Sequence, residues 1–318
     1  MSLAPFVRIV AQGKGRARAL TQDEARDAMA VILAGEAAPE ALGALLMVLR
    51  MRGETDAEIA GFTAALRDAA QQDSRLAVKR VDLDWPCYSA GRTRGAPLFA
   101  LAAKLVALAG YRVALHGYNS NQNTAADLRR TLQAAGLIGG GLSYSALETL
   151  NPMAFRLLNL RETLGLRSCI NTVLRMWNPF AARASVQGVF HPSYRGLQSR
   201  AAALLGDRNL TVIKGGGGEF ERHPAKDTAI FGLLNGIEIN TLASALITDT
   251  RRLHEPNQPI DPAALWNGTL VDSFASATVI GTAALALWTV GQEKTFAKYR
   301  AQATELWDAR HTQERRTS

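Results

Sequence analysis

Residues Leu160–Pro192 read "LRETLGLRSCINTVLRMWNPFAARASVQGVFHP", and the fold assignment of the 318-residue chain depends on this stretch. It lies in the most basic part of the protein. Residues 151–226 contain 11 Lys and Arg against 4 Asp and Glu, whereas residues 1–150 contain 17 against 14 and residues 227–318 contain 8 against 10. The net charge of +8 is therefore concentrated in one segment. Such a concentration favours polyanionic partners and does not indicate a fold.

The first 75 residues carry helical signals throughout. The tetrapeptides "TQDE" (Thr21–Glu24) and "TDAE" (Thr55–Glu58) are capping boxes, and each precedes a run of apolar residues at helical spacing. Between them, Pro39 suits the first turn of a helix that Gly53 ends. We therefore predict a small all-α domain over residues 1–75, completed by part of a later helical segment.

From about residue 80 the pattern changes to short apolar runs that alternate with alanine-rich helical stretches. The runs "YRVALHG" from Tyr111 and "NLTVIKG" from Asn209 are examples, and the tail from Pro262 is helical. This alternation predicts a larger α/β domain over residues 80–318, with a mostly parallel central sheet flanked by helices. The loops after the two runs, "HGYNSNQNT" and "KGGGGEF", are then expected at the carboxyl ends of strands, where ligands bind.

Composition is that of a globular protein with 47% hydrophobic and 20% charged residues. No stretch approaches the roughly 20 uninterrupted apolar residues that span a bilayer, and the N-terminus lacks the features of a signal peptide. We expect a cytoplasmic protein without a membrane partner. The two cysteines, Cys87 and Cys169, lack metal-ligand spacing, so we expect buried thiols and neither a disulfide nor a zinc site.

Nine residues of the opening stretch resemble, in order and spacing, a signature of the anthranilate phosphoribosyltransferase and nucleoside phosphorylase superfamily, glycosyltransferase family 3. They are Arg161, Leu164, Gly165, Arg167, Asn171, Asn178, Pro179, Gly188 and Val189. The segments "GKGRARALTQDEA" and "LHGYNS" extend the resemblance over nearly the whole chain. The resemblance implies a small helical domain, a larger α/β domain and a homodimer formed through the helices.

The substrate motifs of that superfamily are degraded here. Its enzymes grip diphosphate with a glycine-rich loop after the first strand, where this chain has the bulky Trp85, Pro86 and Tyr88. His116 could bond a phosphate or a base, and a structural histidine at the end of a strand is the alternative. The residues that remain as a residual phosphate loop are Gly91, Arg92, His116, Gly117, Asn119 and Ser120.

The resemblance also implies a magnesium site that is reduced. The superfamily uses an adjacent Asp-Glu pair, and this chain has Gly218-Glu219 at the corresponding place. We therefore expect no cofactor; Mg²⁺, with Glu219 as its sole protein ligand, belongs only to a transferase alternative. The loop "KGGGGEF" lacks the Lys-Ser/Thr ending of a P-loop, and we interpret it as the flexible wall of a groove. No Ser-His-Asp triad or paired acid and base can be assembled.

Three functions remain open. A YbiB-like branch of the superfamily combines this fold with degraded motifs and is associated with nucleic-acid binding, which favours a homodimer that binds DNA or RNA with low sequence specificity. The alternative is a transferase that uses phosphoribosyl diphosphate, and the third possibility is a structural or regulatory dimer with incidental charge. The candidate phosphate contacts are Arg161, Arg167, Arg175, Arg195, Arg200, Arg208, Lys214 and Arg222.

Four aromatic residues lie among these basic residues and could stack on exposed bases, with core packing as the alternative. They are Trp177, Phe180, Tyr194 and Phe220. No helix-turn-helix, zinc-finger or RRM signature is present, so reading of a base sequence is not expected.

Overall fold

The N-terminal part of the protein is helical, as its capping boxes predict. The structure is a computed structural model that describes residues 2–13, 15–77, 80–88, 95–118, 127–253, 260–291 and 295–317. Thr21 and Thr55 each accept a bond from the amide three residues on, and the glutamate there bonds back to the threonine amide. The helices are α1 (Ala4–Ala11), α2 (Gln22–Leu33), α3 (Pro39–Arg52), α4 (Asp56–Gln71) and α5 (Ser74–Ala77).

A seven-stranded sheet forms the second part, in the order β3-β2-β1-β4-β5-β6-β7. Strands β1 to β5 are parallel, whereas β6 and β7 add an antiparallel edge. The α/β class with a mostly parallel sheet is thus confirmed. The strands are β1 (Leu83–Cys87), β2 (Val113–Gly117), β3 (Leu142–Ala146), β4 (Ala184–Val189), β5 (Leu210–Lys214), β6 (Thr228–Leu234) and β7 (Ile237–Ala243).

The order of the strands places a topological switch point between β1 and β4. The chain moves outward from β1 to β3 in one direction and from β4 to β5 in the other. In open α/β sheets, ligands bind beyond the carboxyl ends of the strands at such a point. The loops that follow Cys87 and Val189 therefore flank the expected ligand crevice.

The described residues form nine further helices between and after the strands. The longest apolar helix, α13, could cross a membrane by length and composition, but 78% of its most apolar window is buried inside the fold. It packs on α6 and α14 as a central core helix. The helices are α6 (Phe99–Leu108), α7 (Leu128–Ala134), α8 (Leu147–Leu150), α9 (Pro152–Leu164), α10 (Ile170–Arg175), α11 (Tyr194–Leu204), α12 (Pro262–Trp266), α13 (Ser273–Gly291) and α14 (Phe296–Thr317).

Part of the chain after β3 packs against the N-terminal helices. Met153 and Leu164, at the two ends of α9, lie against Gly35 and Gly43. Arg67 of α4 strengthens the junction because its guanidinium bonds both carboxylate oxygens of Asp207 at 2.6 and 2.9 Å. The helical domain and the α/β domain therefore share one continuous interface. The predicted boundary falls near residues 78–79, which lie outside the described residues.

Candidate functional site

The carboxyl ends of β1 and β2 are joined by a buried polar network. His116 is fully buried, its Nε2 lies 3.0 Å from Asp84 Oδ1, and its Nδ1 lies 2.8 Å from Tyr88 Oη. Ser185 on β4 donates to the other oxygen of Asp84 at 2.9 Å. Because a carboxylate only accepts, the imidazole donates to Asp84 through Nε2, and Nδ1 shares the second hydrogen bond with the Tyr88 hydroxyl. Both ring nitrogens are therefore engaged within the protein.

Tyr88 closes this network on the side where the chain leaves β1. Burial first, and then the negative charge of Asp84, raises the pKa of the Tyr88 phenol well above its ordinary value, so it stays neutral. Gly117 ends β2 so close to Cys87 that a Cβ would overlap the Cys87 carbonyl. His116 and Gly117 thus serve packing. The other residues of the residual phosphate loop, Gly91, Arg92, Asn119 and Ser120, lie outside the described residues.

The glycine run after β5 folds back onto β4. Gly216–Gly218 form a 3₁₀ turn in which Gly217 is left-handed, with φ of 62°. A Cβ at Gly188 on β4 would overlap the backbone of Glu219, so the loop approaches the strand as closely as two backbones can. The four glycines therefore allow tight packing.

A carboxylate lies at the N-terminus of α6, the helix that follows the first loop of the sheet. Phe99, the first residue of α6, donates its amide to Glu221 Oε2 at 2.9 Å, and Glu221 is fully buried. Helix N-termini attract anions because their first amides lack partners within the helix and the dipole is positive there. In this protein an internal carboxylate occupies that position.

Glu219 was the candidate magnesium ligand. Its side chain is fully buried, and its charge acts on the neighbouring guanidinium of Arg175. Mg²⁺ is usually bound through one or two carboxylates together with substrate oxygens and water. A buried carboxylate that already lies beside the positive charge of Arg175 is a poor ligand for such a cation.

Three guanidiniums line one cavity of about 350 Å³ beyond the carboxyl end of β4. They belong to Arg50 at the end of α3, Arg167 before α10 and Arg175 at the end of α10. No Asp or Glu is among the described residues that line it. The cavity is therefore a positively charged pocket at the switch point of the sheet, and we call it the arginine pocket.

The charges in the arginine pocket act on one another. Partial burial lowers the pKa of the Arg167 guanidinium, and repulsion by Arg161, Arg175 and Arg50 lowers it further. Arg175 is only 4% exposed, and desolvation lowers its pKa against the attraction of Glu219. Its Nη2 atom has no hydrogen-bond partner in the described structure. An anion in the pocket would relieve this repulsion.

The other residues that were candidates for phosphate contacts lie in different parts of the fold. Arg222 is fully buried and donates to the carbonyls of Ala243 and Ser244, so it belongs to the core. Arg208 is exposed but precedes β5, whereas Lys214 is the last residue of β5. At about 3.3 Å per residue the two lie roughly 20 Å apart, on opposite edges of the sheet.

The remaining three candidates make local contacts. Arg161 pairs with Glu162 at 3.0 Å, and Arg200 pairs with Asp56 at 2.8 Å. Arg195 lies over the ring of Phe231, 4.8 Å from its centroid. Of the four aromatic candidates, Trp177, Phe180 and Phe220 are buried, which confirms core packing for them; Tyr194 is half-buried and lines the arginine pocket.

Comparison with known proteins decides the family. Residues 6–70 match the helical bundle domain of the glycosyl transferase family. The chain is 31% identical over 235 residues to the anthranilate phosphoribosyltransferase of Bacillus caldotenax, covering 69% of this chain and 94% of that one. The chain belongs to the anthranilate phosphoribosyltransferase family.

Two further members of the anthranilate phosphoribosyltransferase family define the extent of the likeness. The enzyme of Halorubrum lacusprofundi is 28% identical over 211 residues, which cover 62% of this chain but only 57% of the relative. The crystal structure of the enzyme from Thermus thermophilus superposes with a TM-score of 0.73, at 23% identity, over 94% of this chain and 95% of the other. The fold of the family therefore extends over nearly the whole protein.

Three residues that contribute to the site of this protein were not predicted from the sequence. Asp84 gave a usable signal, because an acidic residue inside the apolar run of β1 indicates a buried polar partner. Arg50 gave none, since a basic residue in the last turn of a helix is ordinary. Glu221 contacts a residue 122 positions away, and no local pattern indicates such a pairing.

Proposed function

We propose that this protein binds nucleic acid, DNA or RNA, through phosphate contacts of low sequence specificity at the carboxyl edge of its sheet. The observation that carries the proposal is the arginine pocket, with Arg50, Arg167 and Arg175 around one cavity and no carboxylate among its described lining residues. Guanidinium forks match phosphate oxygens in geometry and charge. Lys214 adds an exposed cation at the same edge. The proposal places the chain in the YbiB-like branch.

Two features of the structure speak against the grip on diphosphate that a transferase needs. Glu221 occupies the N-terminus of α6 with a carboxylate, and a diphosphate there would meet its negative charge. Tyr88 and Asp84 use both ring nitrogens of His116, so the histidine has no free nitrogen for a phosphate. These contacts support a protein that has the fold of the family and a basic crevice but no longer binds diphosphate.

Phosphoribosyl transfer is the second candidate, and membership of the family favours it. It would require Mg²⁺ at Glu219, which is buried beside the charge of Arg175. We expect calorimetry to show no tight binding of phosphoribosyl diphosphate with Mg²⁺. Tight binding that is abolished in Glu219→Ala would replace our proposal with the transferase.

Binding of random-sequence strands to variants tests the proposal. We expect Arg167→Ala and Lys214→Ala each to weaken binding several-fold for every sequence alike, because each removes a phosphate contact. Arg208→Ala removes the same charge at the opposite edge of the sheet and is the matched control, with little change expected. If the wild type does not bind strands near physiological salt, the positive charge is incidental and the proposal is wrong.

We further propose a homodimer formed through the helical domain, located in the cytoplasm. Met51, near the end of α3, is 81% exposed and presents an apolar side chain that a second copy could cover. Light scattering on the purified protein should give twice the chain mass, and Met51→Lys should lower it. A monomeric mass for the wild type would contradict the dimer.

A further inference from the structure

The arginine pocket combines exposed apolar side chains with a buried charge. Phe190 and Leu166, which are 48% and 50% exposed, line it together with Arg175, which is 4% exposed. A volume of about 350 Å³ is at the lower end of the range for small-ligand sites. The pocket therefore has room for one nucleotide and is too small for a continuous stretch of strand.

Two buried polar groups of the pocket lack a partner among the described residues. Nη2 of Arg175 has no hydrogen-bond acceptor there, and Oε1 of Gln198, which is 1% exposed, has no donor. An unpaired buried group of this kind destabilises the protein that contains it. A nucleotide brings phosphate oxygens that match guanidiniums, together with hydroxyl or amino donors that match an amide oxygen.

The charge of the pocket selects among the phosphates of a strand. An internal phosphodiester carries one negative charge, whereas a terminal phosphate monoester carries about −1.5 to −2 at pH 7. Arg50, Arg167 and Arg175 repel one another, and their repulsion is relieved most by the more highly charged group. An end of a strand also fills a pocket of this size without the backbone having to leave it again.

We propose that the arginine pocket binds the terminal nucleotide of a single strand, with its phosphate monoester among Arg50, Arg167 and Arg175 and its base against Phe190. This inference rests on the proposed nucleic-acid binding and adds the part of the strand that the pocket recognises. The exposed ring of Phe190 offers a stacking surface for any base. The recognition therefore depends on the end of the strand and not on its sequence.

Anisotropy measurements on one labelled oligothymidylate with a 5′-phosphate, a 3′-phosphate or only hydroxyl ends test this inference. We expect one of the phosphorylated ends to bind about tenfold more tightly than the hydroxyl end, as for a charge-assisted hydrogen bond. Unlabelled thymidine monophosphate should compete with that end.

Three variants separate the pocket from the rest of the surface. Arg167→Ala should remove the preference for the phosphorylated end, and Phe190→Ala should weaken the binding of thymidine monophosphate. Lys214 lies outside the pocket lining, so Lys214→Ala should weaken the binding of all three strands alike and keep the preference for the phosphorylated end. Arg208→Ala should change neither the affinity nor the preference. Equal affinity of the wild type for all three ends overturns the terminal pocket and leaves nucleic-acid binding intact, whereas no binding to any strand overturns both.

Discussion

Arg175 shows at the scale of one residue how the site differs from a surface patch. The sequence predicts an added positive charge where the family usually has proline, and the structure keeps that charge as a buried guanidinium. Its Nη2 lies near Gly218, 3.6 Å from the place where a Cβ at that position would stand. The sequence could not predict this burial, because it depends on how the glycine loop folds back onto β4.

Glu24 gives a prediction about pH at the same scale. Bonds from Arg18, and then from the Thr21 amide, lower the pKa of the Glu24 carboxyl from 4.5 to about 2. A carboxyl with a lowered folded pKa stabilises the fold above its unfolded value and loses that contribution as the pH falls through the folded value. Stability should therefore decline between about pH 4.5 and 2.

Denaturant titrations at pH 6 and pH 3 measure that contribution. Glu24→Gln should be less stable than the wild type at pH 6, and the difference should shrink at pH 3. Glu238→Gln, a change at an exposed residue on β7, is the control and should differ little in stability from the wild type. A difference for Glu24→Gln that is independent of pH would contradict the assignment.

At the scale of elements, local signals predicted the helices well. Both capping boxes are present, because their hydrogen bonds join residues only three positions apart. Helix α3 also begins at Pro39, as predicted. The β6–β7 hairpin was missed, although Asn235-Gly236 between two apolar runs is a hairpin signal and both residues have positive φ. The packing of the glycine loop on β4 could not be predicted, since it joins distant residues.

Helix α6 carries a prediction about the anion position at its N-terminus. Glu221→Ala should lower the free energy of unfolding by about 1–3 kcal/mol, because the Phe99 amide loses its acceptor. It should also let pyrophosphate bind, so that pyrophosphate raises the melting temperature of the variant and not of the wild type. Glu238→Ala, an exposed acid on β7, is the control. Equal shifts in all three proteins would show that Glu221 does not block the helix end.

Strand β4 carries a prediction about the glycine loop. Gly188→Ala should lower the free energy of unfolding by about 1–3 kcal/mol or more, because the new methyl group would overlap the backbone of Glu219. Gly43→Ala places its methyl group in open packing 3.8 Å from Leu164 inside α3 and should be neutral or stabilising. Chemical denaturation compares the two, and equal stabilities would mean that the loop is not packed on β4.

At the scale of the whole molecule, the basic residues do not form one stripe. The strands bring Arg167, Arg175 and Lys214 to the carboxyl edge of the sheet, leave Arg208 at the opposite edge and bury Arg222 in the core. The sequence shows that the positive charge lies in residues 151–226. It could not show which edge of the sheet each basic residue occupies, because the two ends of one strand lie on opposite edges. We therefore propose the carboxyl edge alone as the surface that binds phosphates.

The salt dependence of strand binding tests that claim most directly. If about six phosphates are neutralised, log K should fall with log salt at a slope of roughly −4 for a single strand and −5 for a duplex. Each of Arg167→Ala and Lys214→Ala should make the single-strand slope shallower by about 0.7, and Arg208→Ala should leave it unchanged. A flat slope for the wild type, or a change for Arg208→Ala as large as that for Lys214→Ala, would contradict a phosphate-binding surface at the carboxyl edge.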